Sequence, residues 1–400
     1  MKIMFVSDVL PRKEAKHAGG TTIFNYIRSL SDQGHEIALI TFIDRREKHE
    51  AEELKRHCER VIAIPRNRPL LSKLIRIPLL LIYPIECWRA VYDVRFSRSV
   101  KRLLEEFQPD LVQMEEPWMF FYAKHVQRSR RILDEHDVFL QIKFRAFLKE
   151  RNPVKKILAL AEFIKMTIYE MKCVAAADMV FTRSEKDRMF LRGLFPEADV
   201  QILEPWISFE KLLELPLVPP SERTILYFGD MGREVNIQAA GYFCDEVFPH
   251  IKKRVPDARF VIAGANPPRE ILKRGNDKDV NVTGYVPRME DIYGACRVFV
   301  APMLVGGGII VKILDAMAAG RPVVTTRIGN EGIQAVDGEQ LFVVHAAEAF
   351  AEQVVRLLED DDLWRKTARA GRDFCTTKYK WDEIVQRVNG HYLRMMEQDS

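Results

Sequence analysis

Two stretches of the chain could hold an anion. In VGGGIIVKILDAMAAGRPVV (305–324), Gly306, Gly307 and Gly308 run into an expected helix that carries Lys312 and Asp315 three residues apart. Glycine has no Cβ, so its backbone can approach a ligand closely, and the first N–H groups of a helix have no partner inside it. The helix end is also electrically positive, which suits a phosphate or diphosphate. On this pattern Lys312 neutralises phosphate charge. Asp315, on the same side by its i,i+3 spacing, accepts hydroxyl hydrogen bonds from a ribose or a sugar. The same spacing is also that of a plain Lys312–Asp315 pair worth about 0.2–0.5 kcal/mol. The second stretch, AGGTTIFNYIRSLSDQG (18–34), reads as a loop with Gly19 and Gly20, then a helix with apolar positions 23, 27 and 30. Neither stretch continues into the GK[ST] of a Walker A loop or matches GxGxxG.

Other polar groups fall at the ends of expected strands. LVQMEEPW places Glu115 at such an end and ILDEHDVF places His136. Either could orient or deprotonate a hydroxyl, and His136 could equally do no more than bond its own loop. Glu115 and Glu116 cannot both point the same way from a regular strand. EDDDLW (359–364) has the look of an acidic metal triplet, but between two helices it reads as an N-cap cluster. No other spacing suggests a resident metal, so none is expected, and no cofactor either.

These residues need a scaffold. Short β-branched runs such as KIMFVSD, HEIALITF, RVIAIP, PDLVQME and RRILDEHD alternate with helical patterns, which means parallel sheets with crossover helices. The alternation pauses at EPWISFEKLLELPLVPPSERTI (204–225), where four prolines read as a linker, and then restarts with TILYFGD, ARFVIAG, NVTGYV and RVFVAP. The fold class is therefore α/β, with two tandem Rossmann-like, doubly wound domains and a cleft between them. The expected boundaries are 1–205, 206–378 and a last helical segment, 379–400. The 400 residues are 47% hydrophobic and 30% charged, which excludes a disordered chain. The first 200 residues carry 36 Lys+Arg against 28 Asp+Glu, too dilute a positive charge for a nucleic-acid stripe. No run is long enough to span a bilayer, and MKIMFVSDVL reads as a strand, not a signal peptide. The basic, apolar segments 68–90 and 141–172 suit an anionic membrane surface, or equally a helix packed on its own domain with a solvated basic face. Six scattered cysteines without a CxxC pair read as reduced thiols, hence a cytoplasmic chain, with the membrane's inner face as its surface if one is used.

The stretch DAMAAGRPVV, with a seven-residue gap between Gly307 and its Asp, resembles the Glu-x7-Glu signature of glycosyltransferase family 4, the retaining GT-B enzymes. AGGTTIFNYIRSLSDQGHEIALIT, CVAAADMVFTRSEKDRMFL and VNVTGYVPRMEDIYGACRVFVAP resemble further family segments, and GGGIIVKILDAMAAGRPVV with GNEG resembles a bacterial subgroup that makes surface polysaccharide. The resemblance implies a metal-independent hexosyl transfer with retained configuration. The donor is a UDP- or GDP-linked sugar and the acceptor a glycan or a lipid-linked glycan. It implies donor binding by Gly19, Gly20, Arg233, Gly306, Gly307, Gly308, Lys312 and Asp315, with His136 and Glu115 nearest the chemistry. It also implies that the last helix crosses back to the first domain. The chain departs from the pattern at Gly307, where the family has its first Glu, and at Asp315, where it has its second. Asp230 and Val235 stand in place of the family's phosphate-binding Arg-Lys pair, which leaves Arg233 and Lys312 as substitutes. Those losses keep open a catalytically impaired GT-B nucleotide-binding protein, and the shared two-domain architecture keeps open a nucleotide-sugar epimerase.

Overall fold

The computed structural model describes residues 1–13, 18–44, 47–66, 77–90, 93–305 and 308–397. They form two units, Met1–Trp206 with Trp381–Ser400, and Ile207–Lys380.

The first unit is built on a seven-stranded sheet of order β3-β2-β1-β4-β5-β6-β7. Its strands are β1 (Lys2–Ser7), β2 (Glu36–Ile43), β3 (Arg60–Pro65), β4 (Leu111–Glu115), β5 (Arg130–Glu135), β6 (Met179–Thr182) and β7 (Val200–Ile202). Every neighbouring pair is parallel, with Ile3 facing both Ile37 and Leu111, and Glu115 facing Asp134. β1 is buried on both faces, as a central strand of a parallel sheet must be, so it reads as a nearly unbroken apolar run. Helix α1 (Ala18–Asp32) buries Ile23, Ile27 and Leu30 against the sheet. Helices α2 (Phe139–Lys149) and α3 (Pro153–Ala176) follow β5 and are separated by Asn152, whose side chain caps α3 at Lys155 N. β7 is a strand the sequence does not announce: three residues followed by Glu204 and Pro205 carry too short a pattern.

The second unit repeats the plan in six parallel strands of order β10-β9-β8-β11-β12-β13: β8 (Thr224–Phe228), β9 (Arg259–Ala263), β10 (Val280–Gly284), β11 (Val298–Ala301), β12 (Val323–Thr325) and β13 (Phe342–Val343). Helix α4 (Glu234–Tyr242) follows β8 and α5 (Val311–Ala318) follows β11. The proline-rich stretch is no free linker here. Phe209 and Leu212 are buried in this unit's core, and Arg372 donates to the carbonyls of Leu213 and Leu215. Asp360 caps the helix Asp361–Lys378, and Asp361 pairs with Arg297 at 2.5 Å, so the acidic triplet serves a helix start.

The last helix, α6 (Trp381–Glu397), belongs to the first unit. Trp381 Nε1 donates to Ser29 Oγ at 2.9 Å, and Arg387 meets Glu204 at 2.6 Å. Ile384, Val385, Val388 and Tyr392 enter the core beneath α1.

Candidate active site

In open parallel sheets, ligands bind beyond the carboxyl ends of the strands where the strand order reverses. That point lies between β1 and β4 in the first unit and between β8 and β11 in the second. The sequence-expected residues fall at both.

In the first unit, β4, β5 and β6 are neighbours, and their ends bring together groups that lie far apart in the chain. His136 leaves the end of β5. Its Nε2 lies 3.0 Å from Glu115 Oε2 and 3.7 Å from Asp134 Oδ2, and its Nδ1 lies 3.4 Å from Glu116 Oε1. Both glutamates therefore reach the same ring. A regular strand forbids this, but Glu116 has left the strand with φ 76°, a left-handed conformation that swings its side chain back. Arg183, just past β6, donates to Asp134 Oδ2 at 2.8 Å and to the Leu203 carbonyl at 2.8 Å. Gln113 donates to Glu115 Oε1 at 2.9 Å, and Tyr392 of α6 donates in turn to Gln113 Oε1.

Burial sets the charges of this cluster. It raises the carboxyl of Glu115 and, with Asp8 and Asp137 nearby, lifts that of Glu116 well above the usual range. It pushes Asp134 up to about 7 against the pull of Arg183. Burial, with Glu170 nearby, also pushes Glu135 well up, and neither of its carboxyl oxygens has a hydrogen-bond partner among the described residues. His136 is driven the other way, to about 3, first by burial and then by Arg183. It is a neutral imidazole at neutral pH. A neutral ring has one N–H, and the 3.0 Å contact assigns that proton to Nε2, donating to Glu115. Nδ1 is left as an acceptor. It faces Gly19, where a Cβ would stand 2.7 Å from Nδ1. Gly19 and Gly20 thus do not form a loop ahead of the helix. They lie in the first turn of α1, and Gly19 is bare because the His136 ring occupies the space of a side chain.

Ligand atoms of Glu115, Asp134 and His136 all lie within 4.8 Å of one another, a grouping that could hold a metal ion. The sequence does not announce this grouping, because the three residues share no local spacing. The arrangement fits hydrogen bonding better than ligation. Arg183 already holds Asp134 Oδ2, and the Nε2 proton already lies between His136 and Glu115.

In the second unit, Gly306 and Gly307 lie outside the described residues. Gly308 has φ 67°, and its carbonyl lies where a Cβ on Gly332, in the GNEG segment, would stand 2.2 Å away. α5 begins only at Val311, with Ile310 as its cap, so the glycines precede the helix and do not open it. Lys312 is half-buried, and its Nζ donates to Asn236 Oδ1 at 2.7 Å and to Tyr227 Oη at 2.9 Å, 4.4 Å from the centre of the Tyr227 ring. A Cβ on Gly229, just past β8, would stand 2.8 Å from that Nζ. Burial, helped by the exposed Arg233, lowers the amine to about 7. Asp315 is buried and raised to about 7 by burial alone, and no hydrogen bond reaches its carboxylate among the described residues. The two side chains form no ion pair with each other, so the plain intrahelical pairing is not what the spacing serves. Asp230 is held below its ordinary range by hydrogen bonds from Asn266 and Gly232 N, which keeps it out of a phosphate-binding role.

Sequence reasoning named Lys312, Asp315, Arg233, His136 and Glu115, which the structure places at the strand ends, and set Glu116 aside; it did not name their neighbours Asp134, Arg183, Gln113 and Tyr392 in the first unit or Tyr227, Gly229 and Asn236 in the second. Arg183 carried a faint signal, a charged residue directly after the strand MVFT.

Comparison with known proteins places the family and the fold. Residues 19–211 match the family model "Glycosyltransferase Family 4", and residues 222–360 match "Glycosyl transferases group 1". The chain is 23% identical to an uncharacterized 44.6 kDa protein in the cps region of Klebsiella pneumoniae, over 97% of this chain and 98% of that one. It is 31% identical, over 35% of its length and 40% of the relative's, to a GDP-mannose-dependent alpha-(1-6)-phosphatidylinositol monomannoside mannosyltransferase of Mycobacterium tuberculosis. Among solved structures it is similar to sucrose-phosphate synthase from Thermosynechococcus elongatus, with TM-score 0.71 at 14% identity over both whole chains. It is also similar to Anabaena HepE in complex with UDP and glucose, with TM-score 0.66 at 12% identity over 98% of this chain and 99% of that one. With both halves matched and the fold shared, the chain is a family 4-like glycosyltransferase of the GT-B fold.

Proposed function

We propose that the protein is a retaining hexosyltransferase that moves a sugar from a UDP- or GDP-linked donor to a glycan or lipid-linked acceptor in the cytoplasm, during cell-surface polysaccharide synthesis. The observation that carries this reading is Lys312: a half-buried amine, held by Tyr227 and Asn236 against the bare Gly229 backbone, that no carboxylate neutralises among the described residues. An unneutralised half-buried cation at a strand's carboxyl end suits an incoming diphosphate. Arg233 adds a second cation, and the backbone at Gly308 leads the chain into the positive end of α5. Asp315 is free to take ribose hydroxyls.

In the first unit His136 presents Nδ1 as an acceptor, with Glu115 holding the ring through Nε2–H. With its pKa near 3 the ring does not keep a proton at neutral pH. Its role is to fix the acceptor hydroxyl, and the departing diphosphate oxygen takes the proton as the new glycosidic bond forms. No residue needs to serve as a covalent nucleophile on this route, and neither step uses a metal. Support for the donor class comes from HepE, whose structure holds UDP and glucose. Support for the pathway comes from the cps-region relative.

Incubation of the protein with UDP- and GDP-sugars in the presence of EDTA tests the reading. Release of one nucleoside diphosphate that depends on an added glycan acceptor is expected. An interconverted sugar nucleotide without transfer would indicate an epimerase, and nucleotide binding without turnover an impaired enzyme.

A further inference from the structure

α3 is built inside out. Three of its charged residues, Glu162, Lys165 and Glu170, turn toward the protein. Glu170 is fully buried and accepts from Phe139 N and Leu140 N, both at 2.7 Å. Glu162 accepts from Ile85 N at 3.0 Å, and Lys165 Nζ donates to the Leu80 carbonyl at 2.7 Å. Met166, Cys173 and Val174 pack inward, but a second set of apolar residues turns to solvent. Val154, Ile157, Leu158, Ile164, Ile168 and Met171 recur at helical spacing along one side, with exposures from 36% at Met171 to 70% at Ile157. At about 1.5 Å per residue the stripe runs about 26 Å. Leu81 and Ile82, beside the carbonyl that Lys165 holds, are exposed as well. A helix that packs on its own domain does the reverse, and a contiguous apolar surface of this kind marks a partner.

The charge around the stripe identifies that partner. Residues 139–176 carry eight Lys+Arg against three Asp+Glu. Two of those acids, Glu162 and Glu170, are the ones bonded inward, and the third, Glu150, accepts from Asn152 N. Lys149, Arg151, Lys155 and Lys172 are exposed around the stripe. A second copy docked on this face would set positive rim against positive rim. A bilayer with anionic headgroups complements both the rim and the stripe. No helix among the described residues is long and apolar enough to cross a membrane, so the contact is in plane.

We propose that the outer face of α3 is an in-plane anchor that lays its apolar stripe into the surface of an anionic lipid bilayer. The docking stands on this surface alone. It deepens the transferase reading, on which it rests only in implying an acceptor carried on a lipid.

Flotation of the full-length protein with vesicles of phosphatidylcholine alone, and with phosphatidylglycerol added, tests it. Wild type is expected to float with the phosphatidylglycerol vesicles and to stay behind with phosphatidylcholine alone. The combined variant Ile157→Glu, Ile164→Glu, Ile168→Glu should lose at least about tenfold in vesicle partition while its melting curve is kept, since these side chains touch solvent and not the core. Lys149→Glu with Lys155→Glu should weaken binding about fivefold or more and lessen the preference for anionic lipid. The proposal is overturned if wild type ignores both vesicles, if the triple variant floats like wild type, or if the stripe instead holds a dimer that the triple variant dissociates. Flotation needs neither donor nor acceptor. A negative result therefore leaves the transferase reading intact, and protein that floats but transfers nothing leaves this one intact.

Discussion

The two units share one sheet plan and use charge in opposite ways. The first collects the buried carboxyls of Glu115 and Asp134 and the half-buried one of Glu116 around a single guanidinium and a neutral imidazole. The second holds one half-buried amine and one buried carboxyl in α5, neither paired with an opposite charge among the described residues. The crowded site regulates its own protons and presents a fixed acceptor, His136 Nδ1. On the proposed reading, the sparse one is completed by the charge of a ligand. Orienting a hydroxyl asks for the first arrangement and binding a diphosphate asks for the second.

The largest break in this contrast is expected at His136. His136→Ala should lower the transfer rate on the order of 10²–10⁴-fold, measured under saturating donor, with nucleotide affinity unchanged. If affinity falls as well, the division of labour between the units is wrong. Next comes Arg183→Met, which leaves Asp134 buried without its cation. A loss of about 3–5 kcal/mol in urea unfolding is expected, larger than for removal of any surface ion pair. Lys312→Met should cost about 1.5–3 kcal/mol of nucleoside-diphosphate binding by calorimetry, about 10- to 100-fold in affinity. The unliganded protein should be no less stable, since the Tyr227–Asn236 hydrogen bond survives and a half-buried charge is gone.

The pH dependence of donor affinity sharpens the same comparison. Bound phosphate favours the charged amine, so once pH exceeds about 7 binding must take up a proton at Lys312, and affinity falls by up to about tenfold per pH unit. Asp315 gives the other limb. Below about 7 its carboxyl holds a proton that must leave before it accepts two ribose hydroxyls. Affinity should therefore peak near pH 7, and Asp315→Asn should flatten the acid limb and leave the alkaline one. The smallest effect is at Gly19→Ala, where a methyl group 2.7 Å from His136 Nδ1 must push the ring aside. A rate loss on the order of tenfold, with Tm little changed, is expected.

Much of the scaffold was readable in the sequence, because fully buried parallel strands are short β-branched runs set between helical patterns. β7 escaped because three residues ahead of Glu204-Pro205 carry no period. The glycines were readable as close approaches, but not what approaches them: at Gly19 it is a histidine ring and at Gly229 a lysine amine. The helix starts were displaced in opposite senses. α1 begins before Gly19, and α5 begins three residues after Gly308. The first unit's cluster was the least legible. Glu116, Asp134 and Arg183 meet only because β4, β5 and β6 lie side by side, and Glu116 joins only through a left-handed residue that no spacing rule supplies. For 141–172, basic and apolar character was plain, but which face points outward is a property of packing.

The central claim is that α5 and the end of β8 bind a nucleoside diphosphate. It is tested most directly by the thermal shift of the protein with UDP, GDP and ADP, run beside Lys312→Ala and Asp315→Ala. The account predicts that UDP or GDP stabilises wild type, by roughly 2.7 kcal/mol at a hundredfold over Kd, and that both variants lose the shift. No shift with any nucleotide, or a shift the variants retain, would contradict it.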